Sequence, residues 1–240
     1  MPASLSFMSK GAVAAAVVAA SVTLSGPASA AISLDFLING ANVLTVVDND
    51  GTDNVAAADR VGFNGTLSSG GTSFDVDLSF ARQRNNVGTG VGSLIESLTV
   101  GANANTSTGD IFQIVATAPD LFVPGGTGQR IATSSITPDT LENFQLDYST
   151  TVDGQTVLNV VDVPQSPPAP ATVSTTTVNI GSNPYTMIHD ASFTALTGIS
   201  NGDGGSFDAS TRVSVPVPAT FGLLGAGLFG LGVVLRRRQS

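Results

Sequence analysis

From Ser73 to Phe80 the chain reads SFDVDLSF, an unbroken alternation that puts Phe74, Val76, Leu78 and Phe80 on one side and Ser73, Asp75, Asp77 and Ser79 on the other. Successive side chains of a strand point to opposite faces, so this pattern describes a strand with one face in a core and one in water. A helix would scatter the same apolar residues around its circumference. The segment ISLDFLI repeats the period with Ile32, Leu34, Phe36 and Ile38. Further strand candidates are NVLTVV from Asn42, VGFNGTL from Val61, SLIESLTV from Ser93, IFQIVATA from Ile111, FQLDYST from Phe144, QTVLNVV from Gln155, TVSTTTVNI from Thr172 and SFTALT from Ser192. Clusters such as DNDGTDN, SSGG, GANANTSTGD and NGDGG supply turns between them. No stretch sustains a helical period with caps. Many short strands with polar outer faces predict an all-β body over residues 31–212, a β-sandwich or jelly roll.

Such a body is large enough to close a core of its own. The segment VPQSPPAPAT, residues 163–172, is dense in proline and is expected to be stiff and extended. It reads as a rigid loop crossing between sheets rather than a domain boundary, because the chain between it and residue 212 is short for a separate core.

The charges are unevenly spread. All eighteen acidic residues lie between Asp35 and Asp208, and within the body over residues 31–212 only Arg60, Arg82, Arg84, Arg130 and Arg212 oppose them, five against eighteen, a net of −13. Phosphate backbones repel such a body, so nucleic acid is excluded as a partner. The chain has no cysteine, which removes disulfides, thiol nucleophiles and thiolate metal sites together.

The two ends differ from the body. Lys10 precedes the apolar run Gly11 to Leu24, Gly26 and Pro27 break it, and the small residues Ala28 and Ala30 follow. This order predicts a secretory signal peptide over residues 1–30, cut by signal peptidase before Ala31. Met8 offers a second start that gives a signal of more ordinary proportions.

At the other end, Phe221 to Leu235 contains no charge and is followed by Arg236, Arg237 and Arg238. As a helix this run spans ~22 Å, a short transmembrane crossing whose basic end stays in the cytosol. The acidic body then lies across the membrane, where the signal peptide also sends it. Gly222, Ala226 and Gly230 share one helical face and permit close approach of another helix, or keep a removable segment weakly held. Pro216 and Pro218 hold the chain before the span extended and accessible.

Residues 213–240 resemble a PEP-CTERM sorting signal, a proline motif, a Gly- and Leu-rich transmembrane run and a basic cluster in that order. Val215, Pro216, Val217, Pro218, Ala219 and Thr220 take the motif position, with Val217 where the family has glutamate. The resemblance implies recognition and cutting by a membrane-embedded exosortase, an inner-membrane intermediate, and final release or transfer to the cell surface or beyond.

Within the body, few residues suggest chemistry. His189 is the only histidine, so a site needing two imidazoles within one chain is impossible. A Ser-His-Asp arrangement with Asp190 lacks a nucleophile elbow, and strand neighbours point to opposite faces. No catalytic residue is expected. Asp48, Asp50, Asp53 and Asp59, with Gly51 at the turn, could present hard oxygens to calcium, but an EF-hand register fails because Val46 and Ala57 fall at the first and last ligand places. The other reading of this cluster is a solvated hairpin turn, and NGDGGSFD from Asn201 to Asp208 is similar. Asp75 and Asp77 share the polar side of a strand and read as solvated surface. Asn64 and Asn105 begin glycosylation sequons. The expected function is a non-enzymatic structural or adhesive protein of the cell surface or extracellular matrix. The alternative is a calcium-dependent module binding extracellular polysaccharide, and a secreted hydrolase ranks third.

Overall fold

The computed structural model describes residues 31–55, 57, 60–86, 91–122, 126–163 and 170–214. The signal segment 1–30, Asp59, and the C-terminal motif, span and basic cluster lie outside the described residues. Twelve strands follow one another: β1 (Ser33–Ile38), β2 (Ala41–Val47), β3 (Arg60–Ser69), β4 (Thr72–Asn86), β5 (Val91–Ala102), β6 (Ile111–Leu121), β7 (Gly128–Leu141), β8 (Phe144–Val152), β9 (Gln155–Val163), β10 (Thr172–Ile180), β11 (Tyr185–Ala195) and β12 (Gly204–Ser214). They form two six-stranded sheets, ordered β2-β1-β6-β11-β8-β9 and β10-β7-β12-β5-β4-β3. All neighbouring strands are antiparallel. The all-β sandwich expected from the alternation is therefore the fold of the body. Among the described residues, no helix is long and apolar enough to cross a membrane.

Alternation places the core. Ile32, Leu34, Phe36 and Ile38 are all buried, as are Phe74, Val76 and Leu78. A bulge against β5 lies between Leu78 and Phe80, and beyond it Ala81 and Gln83 are buried. The hydrophobic core runs from Ile32 to Val213 and closes within that span. A file of rings threads it: Phe63 meets Phe36 at 5.1 Å, and contacts of 5.6–6.3 Å continue through Phe112, Phe74, Phe144, Phe193, Phe207 and Tyr148 to the His189 ring. Each buried phenyl ring contributes about 1.5–3 kcal/mol relative to exposure.

Tight turns set the register of the hairpins. Asn39 and Gly40 join β1 to β2 with φ of 51° and 78°, and Asp153 and Gly154 join β8 to β9 with φ of 49° and 74°. Two consecutive left-handed residues match the twist of antiparallel strands, and Asn, Asp and Gly adopt them at least cost.

Two strands escaped the alternation, β7 and β12. The inward side of β7 carries Arg130, Ala132, Ser134, Ile136 and Pro138. Pro138 pairs with Phe207 beside the bulge in β12 and lies two residues beyond Ile136, the last β7 residue paired with β10, a place where a strand tolerates proline. The inward side of β12 carries Gly205, Phe207, Ala209, Thr211 and Val213. Residues 204–208, read from sequence as part of a turn, thus begin a central strand. The chain also enters β11 at Tyr185, earlier than the segment SFTALT suggested.

β9 lies in one sheet and β10 in the other, and residues 164–169 of the proline-rich stretch lie outside the described residues. Ser33 and Ser214 stand at the same pole of the sandwich. Ser33 pairs with Thr117 towards the Leu121 end of β6, Leu121 pairs with Tyr185, and the Tyr185 ring reaches Gly92, the partner of Val213. At the opposite pole, loops after Ile38, Ala102, Leu141 and Ala195 are stitched by main-chain bonds such as Asn39 N to Ile111 O at 2.9 Å and Ala102 N to Asp203 O at 2.7 Å.

Candidate functional site

The polar residues that alternation sends inward meet at the centre of the sandwich. Ser134 of β7 and Thr211 of β12 are directly paired in one sheet, and Thr150 of β8 and His189 of β11 are directly paired in the other. Glu96 of β5 and Tyr148 of β8 complete the group, and all six are buried. His189 Nδ1 lies 3.3 Å from Glu96 Oε2, and its Nε2 lies 2.8 Å from Thr211 Oγ1. Thr211 donates to Ser134 Oγ at 2.8 Å, Ser134 and Thr150 hydroxyls are 2.9 Å apart, and Thr150 donates to the Tyr148 phenol oxygen at 3.1 Å.

Each hydroxyl has one proton, so the chain of bonds has one direction. Because Thr211 gives its proton to Ser134, it accepts from His189, whose Nε2 therefore carries hydrogen. Ser134 in turn donates to Thr150. Thr211, His189 and Glu96 are arranged by distance like a nucleophile, a base and an orienting carboxylate. A nucleophile, however, must donate to the base. Here the proton runs the other way, and His189 is 0% exposed and Glu96 1% exposed. What the group does is join the two sheets through polar bonds at their centre. Burial first, and the negative Glu96 second, push the Tyr148 phenol above its ordinary range.

Asp190, the neighbour of His189, faces the other way and accepts from Gln113 Nε2 at 2.8 Å. The two are on opposite sides of the sheet, as strand geometry requires. His189 was visible in the sequence as a lone histidine. Its partners were not, since Glu96, Ser134 and Thr211 lie far apart in the chain.

The acidic loop after β2 is held by its own main chain. Asp50 accepts from Val47 N at 2.9 Å, from Thr52 N at 2.7 Å and Thr52 Oγ1 at 2.5 Å, and from Asp53 N at 3.0 Å. The Thr52 hydroxyl, followed by the Val47 and Thr52 amides, holds the Asp50 carboxyl at about 2, well below the usual range. Asp53 accepts from Asn49 N, Val55 N and Gly62 N at 2.9–3.1 Å. Asp48 accepts from the Asn49 amide at 2.7 Å. These lone pairs are turned to N–H and hydroxyl donors within the loop rather than to a shared centre. Among the described residues, no group of three or more carboxylate or imidazole side chains is placed to hold a metal ion. In the loop before β12, Asp203 accepts from Asn143 Nδ2 and Ser200 N, each at 2.8 Å, and the Asn143 amide leads in lowering its carboxyl.

The outer face of the β3–β4–β5–β12–β7 sheet carries two shallow troughs. One, of about 300 Å³, is bordered by Asn64, Thr66, Asp75, Asp77 and Thr99. The other, of about 420 Å³, is bordered by Ser97, Ser135, Thr137, Asp208 and Ser210. Asp75 and Asp77 are exposed there, as their place on the polar side of β4 predicted. These rows offer hydroxyls and carboxylates to solvent at strand spacing.

Comparison with known proteins adds an address and a loose set of likenesses. A family model described as the PEP-CTERM protein-sorting motif matches residues 214–238. No curated protein matches the chain in sequence. Among solved structures, the adhesin domain of Epf from Streptococcus pyogenes is similar at 9% identity and a TM-score of 0.42, covering 75% of this chain and 57% of its own. The C-terminal CBM6 of LamC from Zobellia galactanivorans is similar at 12% identity and a TM-score of 0.22, covering 56% and 88%. CBM35 from Paenibacillus barcinonensis follows at 14% identity and a TM-score of 0.21, covering 59% and 93%.

Proposed function

Because this protein carries a PEP-CTERM protein-sorting motif, we propose that it is an exported structural or adhesive component of the cell surface or extracellular matrix, without catalytic activity of its own. The motif implies export, membrane-associated sorting and processing by an exosortase-type membrane enzyme. The observation that carries the reading is the junction: β12 ends at Ser214, and the motif match begins at that residue. Cutting near Pro218 would therefore leave the whole sandwich intact. Ser33 and Ser214 leave from one pole, so a sandwich tethered through either end presents the opposite pole, with its stitched loops, away from the membrane.

Two features support a role without turnover. The single imidazole is buried inside the core, and the acidic loops turn carboxylates to nearby main-chain and side-chain donors. The test is intact-mass analysis of the protein recovered from its native host. Termini at Ala31 and near Pro218 are expected. A surface-exposed protein that retains Arg236 to Ser240 would overturn processing by a sorting enzyme and leave a plain membrane anchor.

A second reading is favoured by the hydroxyl- and carboxylate-lined troughs, which suit the hydroxyl groups of an extracellular polysaccharide. Saturable polysaccharide binding lost in Asp77→Ala would support it, and the same binding in that variant as in the native protein would dismiss it.

A further inference from the structure

Among the described residues, three of the four edge strands are interrupted. β2 pairs with β1 across a bulge at Phe36 and Leu37, β3 pairs with β4 across one at Val61 and Phe63, and β9 pairs with β8 across two irregularities. Bulges, charges and prolines blunt an edge against further pairing. β10 has none of them. Its sequence TVSTTTVNI contains no charge and no proline, in a body with eighteen acidic residues, and it pairs with β7 without a break from Thr172 opposite Ile136 to Ile180 opposite Gly128.

The far side of β10 already holds a substitute strand at one point. Gln155 Nε2 donates to Asn179 O at 2.6 Å, while Asn179 N donates to Gln155 Oε1 at 3.0 Å. The side-chain amide makes the reciprocal pair of bonds that a neighbouring residue of a strand would make. Asn179 therefore turns its main-chain groups away from β7, and by alternation so do Thr177, Thr175 and Val173. Val173 is also 62% exposed. Gln155 closes this row at one end, and Pro170, with no N–H to give, closes it at the other.

We propose that the β10 edge is a homotypic docking site, at which a second copy of this chain adds its own β10 antiparallel about a two-fold axis through Thr175. Among the described residues the open row runs from Val173 to Thr177 and is symmetric about Thr175. In this register Thr175 faces its counterpart, and Val173 faces Thr177 in both directions, each pair exchanging two N–H···O bonds. A one-residue shift would set outward-facing groups against groups committed to β7. No like charges meet at the seam, which a strand bearing any of the body's abundant carboxylates would not allow. Thr–Thr pairing across strands is already present here, with Thr133 and Thr175 hydroxyls 3.2 Å apart. A contact of this size is weak and concentration-dependent. The proposal rests on the fold alone and stands apart from the sorting motif.

The test uses residues 31–214, which contain the whole core, in sedimentation velocity over a concentration series. A monomer–dimer equilibrium is expected. Thr175→Lys places two ammonium groups face to face at the axis and should weaken association by at least ~10-fold. Asn64→Lys on the β3 edge should leave it unchanged. The chain has no cysteine, so Thr175→Cys gives a second measure that does not depend on added charge. Its sulfurs would meet across a Cα separation of ~5.5 Å, within disulfide reach, and oxidation should yield a covalent dimer where Thr66→Cys does not. A protein that stays monomeric at the highest concentration, a dimer indifferent to Thr175→Lys, or cross-linking of the Thr66→Cys variant to the same extent would each overturn the proposal.

Discussion

Glu96 holds His189 by one oxygen only: Oε2 meets Nδ1 at 3.3 Å, while Oε1 is buried without a hydrogen-bond partner. Removing one member of a buried pair strands the other, which typically costs about 3–5 kcal/mol. His189→Ala and Glu96→Ala should each lose stability on that order in urea melts. The double variant Glu96→Leu/His189→Leu removes both polar groups and fills the space. It should unfold at a higher denaturant concentration than either alanine variant, and a loss equal to the two single losses summed would mean that the residues do not act as a pair.

The two tyrosines differ in what their hydroxyls do. Tyr148 accepts from Thr150, whereas the buried Tyr185 hydroxyl has no partner among the described residues. Tyr185→Phe therefore removes a polar group that gains nothing from its place, and should be neutral or stabilising. Tyr148→Phe leaves the Thr150 hydroxyl short of an acceptor and should cost about 1–3 kcal/mol. Thermal melts of the two variants side by side should show this ordering, and equal losses would mean that the network is unimportant.

Alkali should unfold the protein through these same groups. Burial raises both phenols above the ordinary value, aided at Tyr148 by Glu96. The folded state keeps protons that the unfolded state loses, so the stabilisation is complete below pH of about 10 and falls as pH rises beyond it. Tyrosinate absorbance should therefore appear together with loss of the sandwich signal in circular dichroism. A smooth titration near 10 in the folded protein would contradict this.

Acid should reach the loop after β2 only well below the ordinary carboxylate range. The Asp50 carboxyl is lowered to about 2, so its contribution is present above the ordinary carboxylate value and disappears as pH falls through about 2. Amide proton shifts of Val47, Thr52 and Asp53 should move together over that range. Asp50→Asn should remove the pH dependence.

Gly205 packs beneath the Phe193 ring, where an added Cβ would stand 2.7 Å from a ring carbon. Gly205→Ala forces the ring file to shift and should cost about 1–3 kcal/mol. An unchanged melting temperature would show that the ring has room to yield.

How much of this could be read beforehand depended on contrast. β1, β4 and β8 alternate large apolar with polar side chains, and a period of two is a local property that needs no partner. β7 and β12 face inward with Ser134, Pro138, Gly205, Ala209 and Thr211, which look like turn or surface residues until their neighbours are known. Gly205 is small because Phe193 lies against it, and Ser134 and Thr211 are hydroxylic because His189 and Thr150 face them. The acidic loop was legible as a turn, but the donors that claim its carboxylates were not.

By itself the sequence determined the all-β class, the burial of one face of most strands, and the sorting motif, because each depends on the order of neighbouring residues. Only the tertiary structure decided that the lone histidine is sealed behind Glu96 and Thr211 and that β10, alone among the edge strands of the described residues, runs in unbroken register without a charge. Those facts depend on which distant strands become neighbours, and loop closure between the sheets, rather than local periodicity, makes that choice.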